Sequence, residues 1–537
     1  MASPATVSST SLLDEKLKKS SPGKIGGIAF AILLLGGLVY IVSQLAQDLS
    51  IVHTATVFPF FLLGIALLIA LGFEFVNGFH DTANAVATVI YTHSLEPHVA
   101  VVWSGLWNFI GVLTSSGAVA YAVITLLPVE LILKVSQGSG FAMVFALLTA
   151  AILWNLATWY RGLPASSSHT MIGSIIGVGI TNQILHGASG VSGVDWEQVT
   201  KVFKALLFSP LIGFICAALL FLLFKIVMRD PRLYEAPKGA APPPFYIRAL
   251  LVLTCTGVSF AHGSNDGQKG MGLIMLILVG TVPTAYALNH AISPRDIITF
   301  TAVSQQTANV ISHYVDPNVI IGDSEIELEQ FVSTRHFQPT TMLALRQMVN
   351  DIQNEATRYG SLARVPAAMQ SNVRNQMYLV SETMRLIPKY GPKMSDDDKK
   401  VFANYKTFLD KSTKFIPTWV KVAVALALGL GTMVGWKRIV VTVGEKIGKT
   451  HLTYAQGASA ELVAMMTILA ADQYGLPVST THVLSSGVAG TMAANRSGLQ
   501  TSTLRDIALA WVFTLPAAAI LSGVLYWLFN MLVITGR

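Results

Sequence analysis

Two acidic motifs interrupt an otherwise apolar chain. NGFHDTANAVATVI (Asn77–Ile90) carries a His, an Asp and two Asn, and HGSNDGQKGMGLI (His262–Ile274) carries a similar set. A carboxylate inside a bilayer is costly, so Asp81 and Asp266 should face a cavity or a partner. The plainer alternative is that they only hold their helices together. A second pair of motifs is GLPASSSH (Gly162–His169) and GLPVSTTH (Gly475–His482). Pro164 and Pro477 suit the first turn of a helix, where no hydrogen-bond donor is lost. Three hydroxyls in a row come next, Ser166, Ser167 and Ser168 in one copy and Ser479, Thr480 and Thr481 in the other. Hydroxyls beside free N–H groups and the positive end of a helix dipole can bind a tetrahedral oxyanion without a buried Arg or Lys. Ordinary helix capping is the alternative for any one copy. His169 and His482 occupy the same place in both copies. For them, bracing of the hairpin competes with proton relay and metal ligation.

The elements that must position these residues follow from composition and length. Of 537 residues, 52% are apolar and 12% charged, against about 25% charged in soluble domains. Apolar runs of roughly 20 residues recur, the length of a bilayer-spanning helix. The expectation is an all-α polytopic membrane protein. The net charge of +7 fits basic cytoplasmic loops and requires no nucleic acid. Cys216 and Cys255 lie in apolar runs and are expected to be core thiols. Residues 1–25 are Ser- and Lys-rich and read as a disordered cytoplasmic tail. An extra transmembrane helix follows at 26–46, read as a signal anchor rather than a cleaved peptide. Six apolar segments then fill 57–228. A basic, Pro-rich cytoplasmic linker spans 229–246, and six more segments fill 247–288 and 417–533.

The halves match in sequence. Gly78 falls on Gly263 and Asp81 on Asp266 at an offset of 185 residues, whereas Gly162 falls on Gly475 at an offset of 313. The second half must therefore hold an insertion, and residues 289–416 supply it with 14 Lys/Arg and 13 Asp/Glu. Its spacing predicts a soluble helical domain. Short-loop Lys and Arg place the linker, 437–451 and 495–505 inside, which makes the repeats inverted, puts the C-terminus outside and puts the insert on the outer face. That count requires 57–95 and 247–285 to make one crossing each, so each is expected to be a broken or re-entrant helix. Glu74 and Glu461 also lie in apolar runs and receive no role.

NGFHDTANAVATVIYT, GLPASSSHT, FAHGSNDGQKG, YAQG (Tyr454–Gly457) and GLPVSTTHVLSSGVAG occur in an order and duplication that resemble the inorganic phosphate transporter (Pit/PiT) family, nearest to the bacterial low-affinity Pit type. The resemblance covers about residues 57–288 and 417–533. It implies an inverted-repeat fold with phosphate between the halves and cation-coupled uptake at the cell (inner) membrane. The coupling ion is the proton in the bacterial Pit branch and sodium in other branches, and bacterial members are also associated with neutral metal–phosphate complexes. One departure stands out. Many members carry N-D-x-x-N in both motifs. Here Asn84 follows Asp81 by three residues, but Lys269 follows Asp266. An amide oxygen can coordinate Na⁺, whereas an ammonium cannot. Unless Lys269 merely snorkels to a surface, proton coupling is favoured.

The phosphate-binding candidates are Asp81, Asn84, Ser166, Ser167, Ser168, Asn265, Asp266, Ser479, Thr480 and Thr481. Those for coupling to the cation are Asn77, Asp81, Asp266 and Lys269, with His169 and His482 as hairpin braces. The expected function is secondary active phosphate:cation symport with no cofactor beyond the coupling ion. Divalent metal–phosphate and a homo-oligomer are left open. The alternatives are a sulfate or general oxyanion permease and, in another class, a phosphate channel or sensor. An enzyme is not expected, because the Ser–His pairs lack a nucleophile-elbow context.

Overall fold

The computed structural model describes residues 23–50, 58–127, 132, 138–186, 194–237, 241–292 and 294–535. The expected tail up to residue 22, and Lys238 of the linker, fall outside these residues. Helices in chain order are α1 (Lys24–Leu49), α2 (Phe58–Tyr91), α3 (Pro97–Thr114), α4 (Ala118–Ile124), α5 (Gly138–Tyr160), α6 (Ser167–His186), α7 (Trp196–Val227) and α8 (Phe245–Thr281). They continue as α9 (Pro294–Ser312), α10 (Ser324–Thr334), α11 (Pro339–Tyr359), α12 (Ala367–Tyr390) and α13 (Asp396–Thr413), then α14 (Thr418–Gly431), α15 (Lys437–Glu445), α16 (Tyr454–Gln473), α17 (Thr480–Ala494) and α18 (Thr501–Thr535). Among the described residues, α1, α2, α5, α7, α8 and α18 are each long and apolar enough to cross a bilayer. The protein is an all-α polytopic membrane protein.

Packing follows a two-fold pattern. The α5–α6 hairpin lies on α18, and the α16–α17 hairpin lies on α7. Helix α3 packs on α8, and α14 packs on α2. The motif glycines make the last pair of contacts possible. A Cβ on Gly78 would meet the Leu428 carbonyl oxygen at 2.2 Å, and one on Gly263 would meet that of Asn108 at 2.2 Å. Backbone cannot yield to such an overlap, so hydrogen is the only tolerated side chain at both positions.

The structure corrects two expectations. Helices α2 and α8 run unbroken for 34 and 37 residues, so neither motif sits at a break or re-entrant turn. Their glycines serve close helix packing, where a missing Cβ is filled by a neighbouring backbone, and no backbone group is released. Sharp bends lie elsewhere among the described residues: 76° between α3 and α4, where Gly117 has φ of +87°, and 74° between α13 and α14. Cys216 is exposed on the outer face of α7 rather than in a core, and Cys255 is buried.

The segment from α9 to α13 has its own apolar core, with Leu345, Met348, Val349 and Ile352 of α11 packed among Phe300, Met377 and Phe402. It clasps the start of α7 through charge. Asp195, the N-cap of α7, meets Arg335 at 2.7 Å and Arg385 at 3.5 Å, and Glu197 meets Lys389 at 2.8 Å.

Candidate functional site

The two hairpin turns deliver the hydroxyls. Gly162 and Gly475 each adopt positive φ, +67° and +63°, directly after the first helix of the hairpin. The chain then re-enters as α6 and α17. Capping is the same in both: His169 N–H donates to Ser166 Oγ at 3.2 Å, and His482 N–H donates to Ser479 Oγ at 3.2 Å. The first hydroxyl of each triplet is thus committed to its own helix, as a cap must be, which narrows the expectation for Ser166 and Ser479.

The remaining hydroxyls converge on the motif carboxylates. Ser167 Oγ donates to Asp81 at 2.5 Å and lies 3.3 Å from Asp266. Thr481 Oγ1 donates to Asp81 at 2.8 Å. Ser168 Oγ donates to the Val478 carbonyl at 2.8 Å, joining one re-entry turn to the other. Thr480 Oγ1 is buried without a hydrogen-bond partner. The N-termini of α6 and α17 therefore meet face to face, with Asp81 of α2 and Asp266 of α8 beside them.

Lys269 does not snorkel. Its side chain is 0% exposed, and its Nζ contacts Asp266 Oδ2 at 2.6 Å and Ser168 Oγ at 2.5 Å. A hydrogen-bonded row results: Ser168, Lys269, Asp266, Ser167, Asp81, Thr481. Asn265 is turned away from it. Its amide group donates to the Leu476 carbonyl at 3.2 Å and accepts from Val478 N–H at 3.4 Å, so it braces the turn before α17. Asn77 lies on α2 and donates to Glu74 at 3.4 Å. Asn84 lies in α2, but its side chain is outside the described part of the structure. The His169 and His482 rings sit 4.5 Å apart, and His482 lies 4.1 Å from Trp511, whose Nε1 donates to the Pro164 carbonyl.

Sequence reasoning gave no role to the two motif histidines. His80 bridges Asp81 at 3.0 Å and Thr158 at 3.1 Å. His262 Nδ1 is 2.6 Å from the Asn108 side-chain oxygen, to which it donates, and its Nε2 lies 3.8 Å from Asp266. Asp81, His262 and Asp266 offer three ligand atoms within 4.8 Å of one another, close enough to share one cation. Their signal in the sequence was the position of each histidine relative to the aspartates, one residue before Asp81 and four before Asp266. The quoted YAQG motif has a structural part: Gln456 and Thr453 form a capping box at the start of α16.

Residues 77–522 match the phosphate transporter family. The chain belongs to that family. The low-affinity inorganic phosphate transporters PitB and PitA of Escherichia coli (strain K12) are each 42% identical to it, over 490 and 489 residues, which is 87% of this chain and 97% of either relative. A probable low-affinity inorganic phosphate transporter of Bacillus subtilis (strain 168) is 28% identical over 467 residues, covering 87% of this chain and 96% of the relative. Among solved structures, the sodium-dependent phosphate transporter aligns with a TM-score of 0.47 and 20% identity, covering 88% of this chain and 99% of the other. Within this phosphate transporter family member, the motifs that define the resemblance are the ones that meet in space. Both acidic motifs and both hydroxyl triplets border one buried, charged cluster.

Proposed function

We propose that the chain is a secondary transporter that carries inorganic phosphate together with a proton across the cell (inner) membrane. The observation that carries this reading is Lys269, buried against Asp266 and Ser168 where the two hydroxyl-bearing helix N-termini meet. Phosphate entering there takes hydrogen bonds from the hydroxyls and the helix ends, and the ammonium supplies fixed positive charge. The carboxylates accept from the phosphate hydroxyl, which sulfate lacks at neutral pH. Charge then argues for symport. Two carboxylates against one ammonium already leave a negative site, and phosphate adds more in a medium that penalises net charge. A cation must accompany it. An ammonium in place of a second motif amide removes an oxygen ligand for Na⁺, which favours the proton. Asp81, His262 and Asp266 could also hold the metal of a metal–phosphate complex. In this reading the halves are inverted repeats, the N-terminus is cytoplasmic, and the insert and C-terminus face outward.

Uptake into proteoliposomes under an imposed pH gradient or an imposed sodium gradient tests the reading. Accumulation is expected with the pH gradient alone and is abolished by a protonophore. Accumulation driven by sodium alone overturns proton coupling. Equal competition by sulfate overturns phosphate selectivity. The Lys269→Asn variant, which restores the second motif's amide, is expected to gain sodium dependence.

A further inference from the structure

Two buried carboxyls outside the phosphate cluster have no assigned part. Glu74 and Glu461 are both fully buried, and among the described residues neither forms an ion pair. Each makes hydrogen bonds through neutral groups and keeps one oxygen without a partner. Glu74 accepts from the Asn77 amide, and its Oε1 has none. Glu461 accepts from Thr254, and its Oε1 has none. Asp472 makes an instructive contrast. It is buried too, but both its oxygens are taken, by Ser264 at 2.8 Å and Gln268 at 2.5 Å. A carboxyl with an orphan oxygen and no cation, in a membrane interior, is most stable as the neutral acid, which is to say carrying a proton.

Their placement is ordered. Glu74, Asp81 and Thr88 are spaced by seven residues on α2, so they lie on one face, two turns or roughly 10 Å apart. Glu74 precedes Asp81 on that face. It packs against Gly270, where any Cβ would strike the carboxyl, and it lies within electrostatic reach of Asp266 and Lys269 on α8. On the far side of Asp81, Thr88 packs against Gly457 of α16, one turn before Glu461, which accepts from Thr254 of α8, with the buried Cys255 thiol nearby. The row of hydrogen bonds through Lys269, Asp266, Ser167 and Asp81 lies between the two glutamates.

We infer that Glu74 and Glu461 are the two proton stations of the transporter, one on each side of the phosphate cluster, which load and release the coupling proton. The inference rests on the reading of the protein as a proton symporter. Each step breaks one carboxyl O–H bond and forms one on the next acceptor oxygen, so no other reactant is needed. The unpartnered oxygens are the acceptors. Among the described residues neither carboxyl is locked in an ion pair, which lets both groups cycle between acid and carboxylate as the site opens to either side.

Glu74→Gln and Glu461→Gln test it, because the amide copies the neutral acid in shape and cannot release a proton. In proteoliposomes, pH-gradient-driven phosphate accumulation should fall at least tenfold in each variant. Phosphate–phosphate exchange at equal concentration on both sides should stay within twofold of the parent. The variants Glu74→Asp and Glu461→Asp keep a titrating carboxyl and should recover part of the accumulation. They also carry the test if a Gln variant folds poorly. Accumulation within twofold of the parent in either Gln variant, or exchange lost along with accumulation in folded protein, overturns the inference. An internal pH dye in the parent separates it from the reading beneath. Acidification with phosphate entry means that proton symport stands and the variants decide the stations. No acidification, with uptake driven by sodium, overturns proton symport and the stations with it.

Discussion

The two acidic motifs occupy matching places on α2 and α8, yet they are wired differently. Asp81 is hydrogen-bonded to the Ser167 and Thr481 hydroxyls and to the His80 ring. Asp266 is tied to the Lys269 ammonium, and its Oδ1 has no partner. At the same offset of 185 residues, Asn77 stands where the second motif has His262, and His80 stands where it has Asn265. Asn84 matches Lys269, and Glu74 matches Ser259. What survives in both copies is what the geometry needs: the packing glycine, the aspartate, the turn glycine and the capping hydroxyl. What differs is the charge and the titrating groups. Duplication builds a two-fold scaffold, and divergence of a few side chains gives a site that can be symmetric in shape and asymmetric in chemistry.

The largest expected effect tests that asymmetry. Lys269→Met leaves Asp266 buried without a cation, a change that costs about 3–5 kcal/mol when one partner of a buried ion pair is lost. The double variant Asp266→Asn/Lys269→Met should recover most of the loss, as thermal unfolding of the four proteins in detergent can measure. Equal unfolding temperatures for single and double variants would show that the pair contributes nothing, and the halves would then be alike. A smaller effect is expected at Ser167, whose hydroxyl reaches both carboxylates. Hydrogen bonds to charged groups contribute about 1.5–3 kcal/mol, so Ser167→Ala should weaken phosphate binding by roughly 10- to 100-fold. Binding isotherms with phosphate are the check, and an unchanged affinity in folded protein removes Ser167 from the site.

Thr480 sharpens the comparison further. Its hydroxyl is buried and has no partner, so Thr480→Val should leave the unfolding temperature nearly unchanged while lowering phosphate affinity. A loss of stability without a loss of affinity would make it a packing residue. The smallest effect belongs to the caps. Ser166→Ala and Ser479→Ala should each destabilise by about 1 kcal/mol, equally in the two halves, with phosphate affinity unaltered. An affinity loss at either position would mean that the first hydroxyl reaches substrate as well as its own helix.

Much of this was readable before any fold was known. Helix content and membrane character follow from apolar length, because a bilayer demands internal satisfaction of every backbone group. The duplicated aspartates and hydroxyl triplets were legible because repeats preserve spacing, and the insertion because charge density changes abruptly at residue 289. The break proposed in α2 and α8 was misplaced for a physical reason. Each segment is nearly twice a single span by length, and the crossing count allowed it one crossing, which a single long helix can also make. What a glycine inside such a helix does depends on what lies opposite. Here the Leu428 and Asn108 backbones lie opposite, and the glycines admit them.

The sequence by itself determined the elements, the repeats and the residue types capable of binding an oxyanion. Tertiary structure alone decided which hydroxyls cap and which turn to the carboxylates, because both roles use the same residue types at consecutive positions. It decided that Lys269 stays inside, since a long side chain near a motif can reach a surface or a partner with equal ease until the neighbours are in place. It also decided that Asn265 braces a turn and that Glu74 and Glu461 lie to either side of the cluster. Those facts depend on contacts between residues up to 400 positions apart, such as Thr481 and Asp81, and local spacing carries no information about them.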